Sequence, residues 1–409
     1  MPSLIMIALS ISAVVAGPLA VFAPLGMAPL AACVAAVSLF ATMRERLGHR
    51  VLGHPGAQIV LLFLAWMLIA TAWTPSPSEA LWLAVRTTFV VAGGTALAVM
   101  LAHVNTVGRE RLAWTLVAGF ALLVFFLSFE LLSGGLLVRA ALPERYAQEP
   151  WIYVVVSRGT VFMALMIWPA LLAFRALNCR AGIAGACMAA VIVAALTDHG
   201  ATRVGVAAGL AALGLVICFG RRAVIGVGSV CIVVILSAPL LPFGPLSPQS
   251  WQMAAEWLKL SAIHRLYIWH FVAERVWERP LFGWGFDASR HVPGSDLMTP
   301  INVPSLSLHP HNVALHIWLE LGAVGAIAAA LLIAVIVRQI ARPDADRFAQ
   351  AAATAALAAS FAVASLSFGI WQGWWVGSLM LMIVWIAALI PLNNAPPQAA
   401  GMRPGRISA

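Results

Sequence analysis

Apolar residues fill this chain in blocks of roughly 20, the length that crosses a bilayer as a helix. The blocks fall near residues 4–22, 26–43, 57–74, 80–102, 112–133, 152–174, 181–198, 203–219, 223–240, 312–337, 348–369 and 372–392. The pattern predicts an all-α integral membrane protein of about 12 transmembrane helices with one large polar loop. Residues 1–240 are expected to hold helices one to nine and 241–310 the loop. Residues 311–392 would hold the last three helices, and 393–409 a tail. The first block lacks a basic leader and a clear cleavage site, so it reads as a span.

Inside the loop the period changes. Trp251, Met253, Trp257, Leu260, Ile263, Leu266, Ile268, Phe271, Val272 and Val276 recur at helical spacing between Glu256, Lys259, His264, Arg265, Glu274, Arg275, Glu278 and Arg279. This is an amphipathic helix or helix pair, suited to a membrane surface. Pro280 ends it. Gly283, Gly285, Pro293, Gly294, Pro300 and Pro304 then lead irregularly back to His309. A loop of this length with two-sided chemistry points to a substrate-facing role.

Composition agrees with the membrane reading. The 409 residues are 62% hydrophobic and 10% charged, against about 25% charged in soluble domains. The net charge of +9 is mostly arginine; Lys259 is the only lysine. Arg44, Arg46, Arg50, Arg109, Arg111, Arg175, Arg180, Arg221, Arg222, Arg338, Arg342 and Arg347 occupy alternate connections, and Arg403 and Arg406 the tail. By the positive-inside rule both termini are cytoplasmic and the 241–310 loop faces the other side. The basic excess is therefore topological, and no nucleic-acid partner is expected. The five cysteines lie in spans or on the arginine-rich side, which implies no disulfide framework. There is no P-loop and no dinucleotide fingerprint.

Candidate chemistry concentrates where polar residues are costly. His309-Pro310-His311-Asn312 stands at the junction of the loop and the tenth span. His316 and Glu320 follow on one helical face. Glu320 would orient an imidazole or pair with an arginine, and Asn312 would orient substrate or cap the helix. Arg86, Arg158, Arg203 and Arg265 are expected toward the same leaflet. A guanidinium at membrane depth costs at least ~2.5 kcal/mol. Four of them either snorkel and pair internally or bind an anion, for which planar forks suit phosphate. Asp198 and His199 read as a capping and pairing group at a turn. His309, His311 and His316 do not have an established zinc spacing, so no metal and no cofactor is expected.

These residues resemble the O-antigen ligase and polymerase superfamily of bacterial envelope glycosyltransferases. The ligase pattern places Asn, Ser or Gln after a His, then nine residues, a Gly, two residues, and Gly, Thr or Tyr. It is met by His311-Asn312, Gly322 and Gly325. A pattern of Arg, an aromatic-rich helix and Pro-x-x-Gly-x-Gly is met by Arg265, Trp269, Pro280, Gly283 and Gly285. Ser157-Arg158-Gly159 and Thr202-Arg203 resemble superfamily positions less closely, Thr202 standing where Ser is usual. The resemblance implies a GT-C-like membrane fold in the bacterial inner membrane with a periplasmic site. It implies transfer of O-antigen polysaccharide from undecaprenyl pyrophosphate to a sugar hydroxyl of lipid A–core, inverting and metal-independent. In that reading His311 is the base, Arg265 and Arg203 hold the pyrophosphate, and Arg158 and Arg86 are further candidates. Asn312, His316 and Glu320 would support them. An O-antigen polymerase using the same donor, or a lipid flippase or transporter, are the alternatives.

Overall fold

The fold is described from a computed structural model covering residues 2–101, 106–141, 152–254, 259–306 and 308–390. Glu256, Trp257 and the 393–409 tail lie outside those residues. Helices form wherever the apolar blocks were read: α1 (Pro2–Phe22), α2 (Met27–Arg44), α3 (Pro55–Ile69), α4 (Pro77–Met100), α5 (Thr106–Ser133), α6 (Ser157–Ala176), α7 (Arg180–Leu196), α8 (Gly200–Phe219) and α9 (Arg221–Ser237). The amphipathic loop helix is α10 (Leu260–Glu278), and α11 (Val313–Ile340), α12 (Arg347–Ala364) and α13 (Gly373–Leu389) follow. Among the described residues there is no β-strand, only an isolated bridge between Met298 and Pro304.

Nine of the described helices are long and apolar enough to cross a membrane. Of the twelve expected spans, α7 and α13 are shorter apolar helices and α9 has 17 residues. The chain is a multi-pass, all-helical membrane protein.

The bundle is built around α6, which is buried without interruption from Gly159 to Ala173. It touches α1, α5, α7, α8, α12 and α13. Small residues make this possible, because helices in lipid associate by close packing. Gly205 and Gly209 of α8 are one turn apart. A Cβ on Gly209 would stand 2.0 Å from the Trp168 ring of α6, and one on Gly205 would stand 2.6 Å from Val363 of α12. A second apolar cluster joins α3, α4 and α9 to α10 and α11. Helix α10 contributes Leu266, Ile268, Trp269, Val272 and Val276 to it, which is the apolar stripe of the sequence. The candidate residues lie where the 279–312 segment and the α12–α13 turn meet the start of α11.

Candidate active site

Helix α11 breaks at Gly322, whose φ is 66° and ψ −163°. In a regular helix the amides of residues 323 and 324 would donate to the carbonyls of 319 and 320. Here those four groups pair with the Pro280–Gly285 segment. Ala323 N donates to Pro280 O at 2.8 Å and Val324 N to Leu281 O at 3.3 Å. Trp284 N donates to Leu319 O at 2.8 Å and Gly285 N to Glu320 O at 3.0 Å. The Trp66 indole of α3 donates to Leu321 O at 3.1 Å. A broken helix is tolerated at membrane depth only when protein satisfies the freed backbone, and this clasp does so.

The clasp explains why the motif positions are glycine. A Cβ on Gly283 would approach Glu320 O within 2.6 Å, and one on Gly322 would approach Leu281 O within 2.3 Å. Both carry positive φ, which suits glycine. At Gly325 a Cβ would meet the Leu321 Cβ at 2.2 Å. The two sequence motifs are thus halves of one backbone structure.

The break presents Glu320 inward. Its carboxylate is fully buried and accepts five hydrogen bonds. Oε1 takes Ser289 N at 3.1 Å, Ser289 Oγ at 2.5 Å and His316 Nε2 at 3.0 Å. Oε2 takes Asp287 N at 2.9 Å and the Trp371 indole at 2.6 Å. Glu320 therefore hydrogen-bonds an imidazole, and no arginine among the described residues pairs with it. Asp287 beside it is pushed up to about 6 by burial and then by the Glu320 charge.

Above this dyad the imidazoles approach one another. The His316 and His309 rings lie parallel with centroids 6.3 Å apart, and those of His309 and His311 are 4.2 Å apart. Asn312 caps α11 by accepting from Ala314 N and Leu315 N at 3.0 and 3.1 Å, the capping role of the two considered. Just before it His311 has φ 54°, a left-handed conformation that His tolerates better than most non-glycine residues. The Trp269 indole of α10 donates to Pro310 O at 3.0 Å and fixes the turn.

His311 Nδ1 hydrogen-bonds the Ser367 carbonyl in the α12–α13 turn. A carbonyl only accepts, so Nδ1 carries the proton and Nε2 holds a free lone pair. Burial, and next the charge of Arg265, press the His311 imidazole down to about 4. The same two causes hold His199 near 4. His309 is pushed to about 2 by burial and then by His311, His316, Arg290 and Arg265. His199, His309 and His311 are accordingly neutral near pH 7.

Arg265, on α10, donates to Ser261 O at 2.9 Å. Its Nε is buried without a hydrogen-bond partner, and burial lowers its pKa. The other arginines are placed differently. Arg203 donates to the Ala194 and Ala195 carbonyls at the end of α7, at 3.2 and 3.4 Å, and lies 3.8 Å from Asp198. Asp198 is chelated by the lone lysine, Lys259, at 2.5 Å through both oxygens. Arg158 lies over the Trp374 ring at 5.8 Å. Arg86 is exposed and lies over Trp82 at 5.4 Å, an arrangement of snorkelling type. Glu130 is buried and caps the 136–141 helix through Leu137 N and Val138 N.

Three residues here were not read as site residues in the sequence. Ser367 contributes a carbonyl, which no side-chain pattern reveals. His199 bridges Thr202 Oγ1 at 3.0 Å and Ser367 Oγ at 3.4 Å, although it read as part of a turn. Thr202 thus supplies a hydroxyl there, as Ser would, and also meets Thr160 Oγ1 at 3.0 Å. Arg290 lies 4.0 Å from Asp287 and bears on His309. Its only sequence signal is a polar position between Gly285 and His309.

Known proteins share this region. Residues 165–330 match the O-antigen ligase family Wzy_C, a span holding Arg203, Arg265, the clasp and His311. A protein of Rickettsia felis named "Putative polysaccharide ligase" is 26% identical over 345 residues, 82% of this chain and 80% of that one. Relatives so named from Rickettsia conorii and Rickettsia prowazekii are each 34% identical over 140 residues. Those two matches span 33% of the relatives' own lengths. Motif, broken helix and family match coincide on the same residues, and over residues 165–330 the chain is similar to the O-antigen ligase family.

Proposed function

We propose that this protein is a glycosyltransferase that ligates O-antigen polysaccharide, delivered on undecaprenyl pyrophosphate, to lipid A–core at the periplasmic face of the bacterial inner membrane. The observation that carries the reading is a neutral imidazole beside an arginine. His311 holds its proton on Nδ1 against the Ser367 carbonyl, and its bare Nε2 shares the site with Arg265.

Nε2 takes the proton from the acceptor sugar hydroxyl. The hydroxyl oxygen bonds to the anomeric carbon as the bond from that carbon to the pyrophosphate oxygen breaks. Undecaprenyl pyrophosphate leaves with the electron pair, and a direct displacement inverts the anomeric centre. Arg265 meets the charge that develops on the leaving group, with Arg203, Arg158 and Arg86 as further cationic positions. His316 and Glu320 support the cluster from beneath, and Asn312 fixes the start of α11. No metal takes part in this scheme, so EDTA is expected to leave the rate unchanged.

The test uses purified protein with lipid-linked O-antigen as donor and lipid A–core as sole acceptor. His311→Ala is expected to lower transfer about 10²–10⁴-fold, the usual contribution of a general base, while donor binding persists. Near wild-type transfer by His311→Ala would refute the base assignment. Elongation of the lipid-linked donor without transfer to lipid A–core would instead identify a polymerase. Movement of donor across vesicles without transfer would identify a flippase.

A further inference from the structure

Below the site the bundle holds a half-open cavity of about 1170 Å³, larger than the ~300–1,000 Å³ of ordinary small-molecule pockets. Its wall is apolar, with Met67, Ile317, Ile333 and Leu357 among its residues. Trp371 lines one end, and its indole is the 2.6 Å donor to Glu320. The other end is polar. Arg50 and His54 reach it from the α2–α3 connection and Arg342 from the end of α11, with Glu45 as the carboxylate in the lining. At this end His54 Nδ1 and Arg342 Nε are buried without a hydrogen-bond partner; Asp344 lies 3.6 Å from that Nε.

We propose that the cavity holds a phospholipid with an anionic head group, drawn from the leaflet at the arginine-bearing end. An apolar cavity stays dry, and acyl chains are the apolar molecules at hand in a bilayer. Arg50 and Arg342 offer guanidinium donors to an anion there, with Asp344 sharing Arg342 and Glu45 the carboxylate in the lining. The head group sits apart from the site, because the 28 residues of α11 rise about 40 Å between Asn312 and Arg342. It is therefore a different anion from one held by Arg265, and the inference does not depend on the donor proposed above. The chains fill the space against Trp371 and so support the hydrogen bond that fixes Glu320.

The experiment compares lipids retained by delipidated full-length protein offered phosphatidylglycerol, phosphatidylcholine or undecaprenyl phosphate, read by native mass spectrometry. Wild type is expected to retain phosphatidylglycerol in preference to the other two. Arg50→Gln/Arg342→Gln places both changes at the rim and is expected to lower that retention roughly thirtyfold, at two surface charges. Leu357→Trp narrows the cavity and is expected to abolish retention. Equal retention by wild type and the double glutamine variant would overturn the proposal. So would preferential retention of undecaprenyl phosphate, which would make the cavity a site for the carrier's chain. A monodisperse chromatographic profile for the double variant separates loss of binding from loss of folding.

Discussion

Helices α6 and α11 are both long and apolar, yet they are built for opposite purposes. Helix α6 is buried from Gly159 to Ala173 and runs as one helix through Pro169. Its neighbours shape themselves to it, as Gly209 does for Trp168. Helix α11 breaks at Gly322 and passes four backbone groups to the 280–285 segment. That exchange lets a buried carboxylate and two imidazoles stand together at the end of a membrane helix. An unbroken apolar helix supplies position. A broken one, with its backbone satisfied from outside, supplies chemistry.

The contrast is tested first where the effect should be largest. Glu320→Ala removes the acceptor of five buried donors and is expected to cost on the order of 5 kcal/mol, read as a lower thermal midpoint together with lost transfer. A stable, active variant would mean the dyad is dispensable. Leu165→Ala in the middle of α6 should cost about 3 kcal/mol by cavity formation while turnover per folded molecule stays unchanged. A drop in turnover there would bring α6 into the chemistry and erase the distinction. Gly322→Ala forces alanine into a backbone conformation essentially reserved for glycine, about 1–3 kcal/mol, against a carbonyl; transfer should fall more than stability, because the residues it displaces are those beside His316 and Glu320. The smallest effect sharpens the electrostatics. His311 is neutral above about pH 4, so activity should fall as pH drops through that value. Arg265→Gln removes a charge that lowers this pKa and should move the acid limb upward in a pH-rate profile. A limb that stays in place would mean Arg265 does not act on His311.

Much of this was legible in the chain because membrane helices and one-sided helices write their period into the sequence. The stripe on α10 and its stop at Pro280 read directly. The approach of Arg265 to His311 came from motif resemblance, since residues 46 positions apart carry no local signal of contact. The (i, i+4) pairing of His316 with Glu320 followed from helical geometry. The donors from Asp287, Ser289 and Trp371 did not, because two of them are backbone amides. Arg203 read as a ligand-facing cation, but its nearest acceptors are carbonyls at the end of α7. Those carbonyls exist only because α7 stops at Leu196. The count of spans was harder to read, since α7, α9 and α13 are short and hydropathy alone does not say whether a 17-residue helix crosses.

The clasp also sets a mechanical limit. Its four hydrogen bonds couple residues 280–285 to residues 319–324, so the outer turns of α11 and the strap beside them must travel as one piece. In the proposed transfer two bulky lipid-borne sugars need room to enter, and the joined product and the released lipid pyrophosphate need room to leave. That opening has to hinge elsewhere in the wall, and amide exchange in the 319–324 backbone should be among the slowest on this side of the protein.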